Sequence, residues 1–404
     1  MSTQNTADVF FHLPILSTPR PNGSRALAGA VEGMQRWLEA EGVAVTSHHF
    51  VLRPYFMELL GLWLAGAGLL LPVAALGSWG WVGLALALLE VAVPLLEVRF
   101  LRPVVTALVR QTARNLVVRF PVPQPQREVI LCAHIDSKTE WLDHARRERL
   151  LRLGGPAMGL ALVAGAGMAA ERLLPTGAAR LTVHWLALLA ALPVAVYGLG
   201  MGANLVGGRF SRQPSSGAVD NGAAVAVLLD LARKLHHGRL SLDHTTVTIL
   251  FTVGEEAQMQ GALAYVRRTY GSGGEDGPLP TCAINLEVLG QDGRYLLWEQ
   301  DGTAMRRLPA DAALNGSLAR AVEAVTGQPP VRAPTINSDA FAFLRRGIPA
   351  ATLGSLDTQL GGRGFHSSLD APGRVDPDRL AETTRVLVHL LTEMDREVVK
   401  TSAG

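Results

Sequence analysis

The chain reads as an α/β/α sandwich with a mixed, mostly parallel sheet, interrupted by four predicted transmembrane helices in two hairpins. Three observations predict this. Short apolar, β-branched runs alternate with segments of helical periodicity over most of the 404 residues. One of them, TTVTILFTVGEEAQMQG at 245–261, passes from a buried-strand pattern straight into two adjacent glutamates. Elsewhere the texture changes to long runs almost free of charge, in a chain that is 48% hydrophobic and 18% charged, with a mean hydropathy of +0.22.

The first residues, 1–14, lack the basic start, apolar stretch and small-residue cleavage site of a signal peptide. Residues 22–42 form a predicted amphipathic helix, with Ala26, Ala30, Met34, Trp37 and Leu38 at helical spacing behind a cap at Ser24. A short strand follows at 43–51. Residues 55–100 hold two runs, each long enough to cross a bilayer core of ~30 Å, joined by an uncharged GSWG turn. A second pair covers 154–171 and 181–205. Arg53, Arg99, Arg102, Arg146, Arg147, Arg149, Arg152, Arg209 and Arg212 flank these spans on one side, whereas the other side offers only Arg172 and Arg180. The positive-inside rule then predicts an integral protein of the bacterial inner membrane with its polar domain in the cytoplasm. Glu90 and His184, inside spans, are expected to snorkel or pair locally.

Between the hairpins, 115–120 and 128–133 read as strands, the second ending in His134-Ile135-Asp136. Asp220-Asn221 opens a helix whose apolar face is Ala224, Val227, Leu228, Leu231 and Leu235. After the strand that ends in Gly254-Glu255-Glu256 come a helix, a turn-forming loop at 271–280, a strand at 282–289, a hairpin-like segment at 294–298, helices at 310–326 and 338–346, and a strand at 350–353. A glycine-rich loop, LGGRGFHSSLD, and a C-terminal helix from 377 complete the chain. Residues 1–54, 101–153 and 206–404 are thus expected to form one polar domain, with hairpins at 55–100 and 154–205 inserted into it. There is no internal repeat. Cys132 and Cys282 fall in buried strands and need no disulfide. A net charge of +2, with arginine beside the apolar spans, does not suggest a nucleic-acid partner. Oligomeric state is not legible.

Ligand sites of open α/β sheets lie at the C-terminal ends of strands. Glu255 and Glu256 stand there and repel each other unless a cation intervenes, which suggests one as metal ligand and the other as general base. The alternative is that both simply occupy a helix's first turn, where the macrodipole favours acids. His134, Asp136, Asp220, Glu287 and His366 also fall at strand ends or adjacent loops. Singly, Asp220 reads as an N-cap, His134 as a core histidine, Glu287 as a surface acid and His366 as a loop residue. Together they are the donor mixture of a Zn²⁺ site, numerous enough for two metals.

AHIDS, SSGAVDNGAAVAVLLDLA, LFTVGEEAQMQGALAYV, INLEVLG, SDAFAFLRRGIPAATL and FHSSLD resemble, in order and spacing, the successive motifs of the di-zinc aminopeptidase family. The resemblance covers 12–53, 112–150 and 207–395 and implies a zinc-exopeptidase fold that acts on peptides. It implies two zinc ions bridged by Asp220, with His134 and Glu287 completing one shell and Glu256 and His366 the other. Glu255 would be the general base and Asp136 would orient His134. Glu287 replaces the family's usual aspartate, and Phe365 stands where several members carry an oxyanion-steadying tyrosine. The inserted hairpins are a further departure. They imply a membrane-anchored peptidase whose site lies close to the bilayer and whose peptide substrate is membrane-associated. Two other readings stay open: a single-zinc acyl transfer of the glutaminyl cyclase type, and a retired membrane scaffold. A transporter is disfavoured, since the spans offer few polar residues.

Overall fold

The computed structural model describes residues 9–10, 13–142, 144–271, 279–360 and 364–402. Most of the expected N-terminal segment, the heart of the 271–280 loop and part of the 360–370 loop lie outside the described residues.

The chain divides into two compact units: Met1–Pro54, Arg110–Lys138 and Gln213–Gly404 in one, Tyr55–Val109 and Thr139–Arg212 in the other. The sequence places 101–153 wholly in the polar domain; only 110–138 of it belongs there. Hydrogen bonds account for the difference. The Glu97 carboxylate accepts the Val104 and Thr106 N–H groups at 2.6 and 3.0 Å, which keeps 101–109 with the helices. Asn204 Oδ1 accepts the Leu142 N–H at 2.7 Å, and Arg147 pairs with Glu140 at 2.9 Å, which holds the segment after 138 there too.

The first unit contains strands β1 (Thr46–Leu52), β2 (Gln111–Phe120), β3 (Arg127–His134), β4 (Thr245–Thr252), β5 (Thr281–Leu286), β6 (Tyr295–Trp298), β7 (Gln300–Thr303), β8 (Arg306–Pro309), β9 (Val331–Ala333) and β10 (Ala350–Ser355). Eight form one sheet in the order β1-β2-β4-β3-β5-β10-β6-β9. Its centre, β4-β3-β5-β10, is parallel, while β1 and β2 run antiparallel on one side and β6 antiparallel to β10 on the other. The expected mixed, mostly parallel sheet is therefore present. The segment at 294–298 is not a hairpin but the main-sheet strand β6, because Tyr295 and Leu297 bury their side chains in the core. The hairpin is β7–β8, immediately after it.

Side-chain alternation along β3 produces the layers. Leu131 joins a core with Met34, Leu228, Leu318 and Leu387, from the helices Arg25–Ala40, Ala223–His236, Ala312–Thr326 and Pro377–Ser402. Ile130 and Cys132 face the other way, onto Ala262 and Phe343 of the helices Gln260–Tyr270 and Ala340–Leu344. Both cysteines are free. Every residue of β4 is buried, as its apolar, β-branched run predicts for a central strand. Ser24 caps its helix as expected, its Oγ accepting the Leu27 N–H at 3.1 Å.

The second unit is helical. Among the described residues, four helices are long and apolar enough to cross a membrane: Phe56–Leu76, Trp81–Arg99, Arg146–Leu173 and Ala178–Phe210. Glycine and alanine in the third and fourth helices serve packing. A Cβ on Gly165 would lie 2.5 Å from Ala87 Cβ, and one on Gly198 only 2.2 Å from the Leu64 carbonyl oxygen. Such small faces let helix backbones approach closely, while Leu62, Leu69, Val163, Leu189 and Val196 point outward. His184 pairs locally, its Nδ1 lying 3.2 Å from Glu171 Oε2. Glu90 does not snorkel: it is 3% exposed.

Candidate metal centre

The C-terminal ends of β3, β4 and β5 deliver three parts of the site. β3 ends at His134, and the chain turns through Ile135 and Asp136. β4 ends at Thr252, and residues 253–259 form an irregular turn before the helix that starts at Gln260. Glu255 and Glu256 therefore lie in that turn and not in the first turn of a helix, so the macrodipole does not account for them. β5 ends at Leu286, just before Glu287. Asp220 comes from the 218–222 turn, where it and Asn221 have non-helical backbone angles. It is not an N-cap: its neighbours begin the next helix without a side-chain cap. His366 comes from the loop before the C-terminal helix.

These residues converge in two groups, His134/Asp220/Glu287 and Asp220/Glu256/His366, within each of which one donor atom per residue lies within 4.8 Å of the others. His134 Nε2 is 3.1 Å from both Asp220 Oδ1 and Glu287 Oε1. His366 Nε2 is 3.1 Å from Asp220 Oδ2 and 2.8 Å from Glu256 Oε1. Asp220 thus faces both histidines, one with each oxygen. Asp220 Oδ1 and Glu256 Oε1 are buried without a hydrogen-bond partner among the described residues.

That pattern fits a cation. His134 Nδ1 lies 2.9 Å from the Asp136 backbone carbonyl, which can only accept, so Nδ1 carries the proton and Nε2 presents a lone pair to two carboxylates. Acceptors converging in a buried space need a positive charge between them. Without one, the ring itself is driven to protonate: burial works against that, but Glu287 and Asp220 outweigh it and raise the His134 pKa well above its ordinary value. Burial also pushes Glu287 up to about 7. Burial likewise disfavours the charged forms of Asp220 and Glu256, yet the histidines, with Lys138 at 3.8 Å from Glu256, hold both below the usual carboxylate range. Imidazole nitrogen plus carboxylate oxygen is a zinc-type donor set.

Glu255 is buried beside these groups. Burial, together with Glu256, Glu287 and Asp339, raises its carboxyl well above the ordinary value, with His134 opposing. Asp136 orients His134 through its backbone carbonyl, and its carboxylate has a further task. Its carboxylate stands 3.8 Å from His134 Nδ1, which is satisfied by the backbone carbonyl instead. Oδ1 accepts the N–H groups of Gly254 and Glu255 at 2.8 and 3.3 Å, and Oδ2 accepts Glu256 N–H at 3.1 Å and Asn22 Nδ2 at 2.7 Å. Asp136 holds the turn that carries both glutamates.

Three further residues of the site do not stand out in the sequence. Asn285 donates to Glu287 Oε2 at 3.0 Å, leaving Oε1 for His134. Asp339, inside SDAFAFL, accepts the Thr252 hydroxyl at the end of β4. Asp370, inside FHSSLD, accepts Val219 N–H at 2.7 Å and Ser215 Oγ at 2.8 Å. Their motifs are visible, but only the fold pairs them with particular atoms. Phe365 packs its ring against the core and offers no polar group.

Known proteins share this fold. The chain resembles a glutaminyl cyclase from Fimbriiglobus ruber (14% identity, TM-score 0.54, covering 96% of this chain and 93% of that one). It also resembles a leucine aminopeptidase precursor from Bacteroides thetaiotaomicron (13%, TM-score 0.53, 96% of each chain). A Zn-dependent exopeptidase from Parabacteroides distasonis is similar as well (12%, TM-score 0.54, 96% and 97%). At these identities the likeness establishes the fold. No curated protein matches the sequence. Residues 202–391, which include Asp220, Glu255, Glu256, Glu287 and His366, match the model of Peptidase family M28.

Proposed function

We propose that this chain is a membrane-anchored di-zinc metallopeptidase, most simply an aminopeptidase, that hydrolyses peptide bonds with Glu255 as general base. The observation that carries the reading is Asp220, one carboxylate shared by two donor groups. His134 and Glu287 would hold one zinc with it, Glu256 and His366 the other. Zinc bound there would supply Lewis acidity, which makes water acidic near neutral pH and polarises a carbonyl.

The protein's own part follows from its placement of Glu255. A buried carboxylate with a raised pKa takes a proton from water readily and can give it back. As the water oxygen bonds to the carbonyl carbon, Glu255 accepts the proton; as the C–N bond breaks, Glu255 returns it to the leaving amine. Asp136 keeps the carboxylate in place by fixing its backbone N–H. The four apolar helices are read as the anchor in a lipid bilayer, and the arginine flanks favour a cytoplasmic sheet unit. The helical unit leaves the sheet unit directly after Lys138 and rejoins it at Gln213. Both junctions are close in sequence to candidate ligands, which favours a peptide or acyl-amide substrate delivered at the membrane.

Metal content per chain, measured in detergent-purified protein together with hydrolysis of an aminoacyl-amide panel, tests the reading. Two zinc ions are expected in both the wild type and Glu255→Ala, with activity lower in the variant by on the order of 10²–10⁴. One zinc per chain would favour a cyclase-type acyl transfer, and none would overturn the metal reading. A reporter fused at Ser78 tests orientation; a cytoplasmic signal there would reverse it.

A further inference from the structure

Arg20 lies between two prolines, outside the residues matched to the family, and its side chain is fully buried. A buried guanidinium is costly unless its fork of donors is used. Here it is used on backbone carbonyls of separate segments. Nε donates to Ile135 O at 2.7 Å, Nη1 to Thr18 O at 2.6 Å and Ser216 O at 3.1 Å, and Nη2 to Gly217 O at 2.8 Å. Ile135 sits between His134 and Asp136; Ser216 and Gly217 lead into Asp220. The backbone locks the same register, since Arg20 N–H donates to Ser137 Oγ at 2.8 Å and Ser137 N–H to Arg20 O at 3.0 Å. Two residues on, Asn22 reaches Asp136.

The far side of the Asp220 loop is held by Asp370, whose carboxylate takes Val219 N–H and Ser215 Oγ and whose carbonyl takes Ser216 N–H at 3.1 Å. Asp370 follows His366 on the same loop. Arg20 therefore grips the His134 and Asp220 segments directly, and Asp370 joins the Asp220 segment to the loop that carries His366; Asp370, Asp136 and Asp220 lie within the electrostatic reach of Arg20.

We infer that Arg20 is a positioning residue that sets the spacing of the two donor groups by tying together the segments carrying His134, Asp220 and His366. The inference rests on the metallopeptidase reading. Arg20→Lys keeps the charge and loses the fork, so it separates spacing from electrostatics. In full-length detergent-purified protein, zinc affinity from chelator competition is expected to fall about 10–100-fold, as for residues that orient metal ligands. On an aminoacyl amide, kcat should fall with it while KM stays within about two-fold. A merely structural arginine would lower the melting temperature and leave zinc affinity and kcat at wild-type values, and that result would overturn the inference. If Arg20→Lys does not fold, Ser137→Ala removes the hydroxyl that accepts Arg20 N–H. A several-fold loss of zinc affinity is expected for it, and unchanged affinity overturns the inference. Wild-type protein that binds no zinc would instead remove the metal reading, and the spacing role with it.

Discussion

The two units fill their interiors differently. The sheet unit buries charge: His134, Asp136, Asp220, Glu255, Glu256, Glu287, Asp301, Asp339 and Arg20 all lie inside it. The helical unit also buries Glu90, Glu97, Glu140 and Glu171, but among the described residues none of them joins a cluster of metal donors, and its helices bring Gly198 against the Leu64 carbonyl and Gly165 against Ala87. Buried charge is expensive and persists where each group has a defined partner or task. Close backbone approach costs little and requires only that a side chain be missing. Function is therefore sought in the first interior, and mechanical cohesion in the second.

Three substitutions sharpen or break that contrast, in decreasing order of effect. Asp136→Asn preserves shape but turns an amide toward three backbone N–H donors, so the Glu255–Glu256 turn loses its anchor. A kcat reduction of about 10–100-fold is expected, with helical content unchanged by circular dichroism. A wild-type kcat would reduce Asp136 to filler. Gly198→Val places a side chain where the Leu64 carbonyl lies, and overpacking of this kind costs about 1–3 kcal/mol. Thermal melting in detergent should report it, while zinc content per chain stays at the wild-type value; loss of zinc would show that the two interiors are not independent.

The smallest effect concerns pH. Burial pushes the Asp301 carboxyl up from an ordinary 3.8 to about 7, against hydrogen bonds from Ser338 and Thr352. Over that interval the folded chain holds a proton that the unfolded chain has released. The stability contributed by this group is thus fully present below about pH 4 and lost as pH rises through 7. Asp301→Asn should flatten the decline in melting temperature between about pH 4 and 7. An unchanged slope would mean that Asp301 does not titrate there.

Much of the site is legible in the sequence because chemistry restricts residue type more tightly than packing does. Adjacent glutamates after a strand, and histidines beside aspartates at strand ends, serve few purposes besides holding a cation or moving a proton. The four apolar helices are legible from length and hydropathy alone. The segments 101–109 and 139–153 are misplaced by sequence because their allegiance depends on a few polar contacts, to Glu97, Asn204 and Glu140, which leave no periodic trace. Strand β6 reads as a hairpin because its four residues are too few to display alternation, and its partner β10 lies far along the chain. Glu90 departs from expectation since burial within a helical bundle depends on its neighbours.

The sequence by itself determined the alternation of strands and helices, the two apolar hairpins and the identities of the candidate ligands, because each is written in local periodicity or in residue chemistry. Tertiary structure alone decided that Asp220 faces both histidines, that the Asp136 carboxylate holds the glutamate turn while its backbone carbonyl orients His134, and that Arg20 ties distant segments together. Those are pairings between segments far apart in the chain, made by a sheet whose strand order is not the chain's order, and no local pattern encodes them.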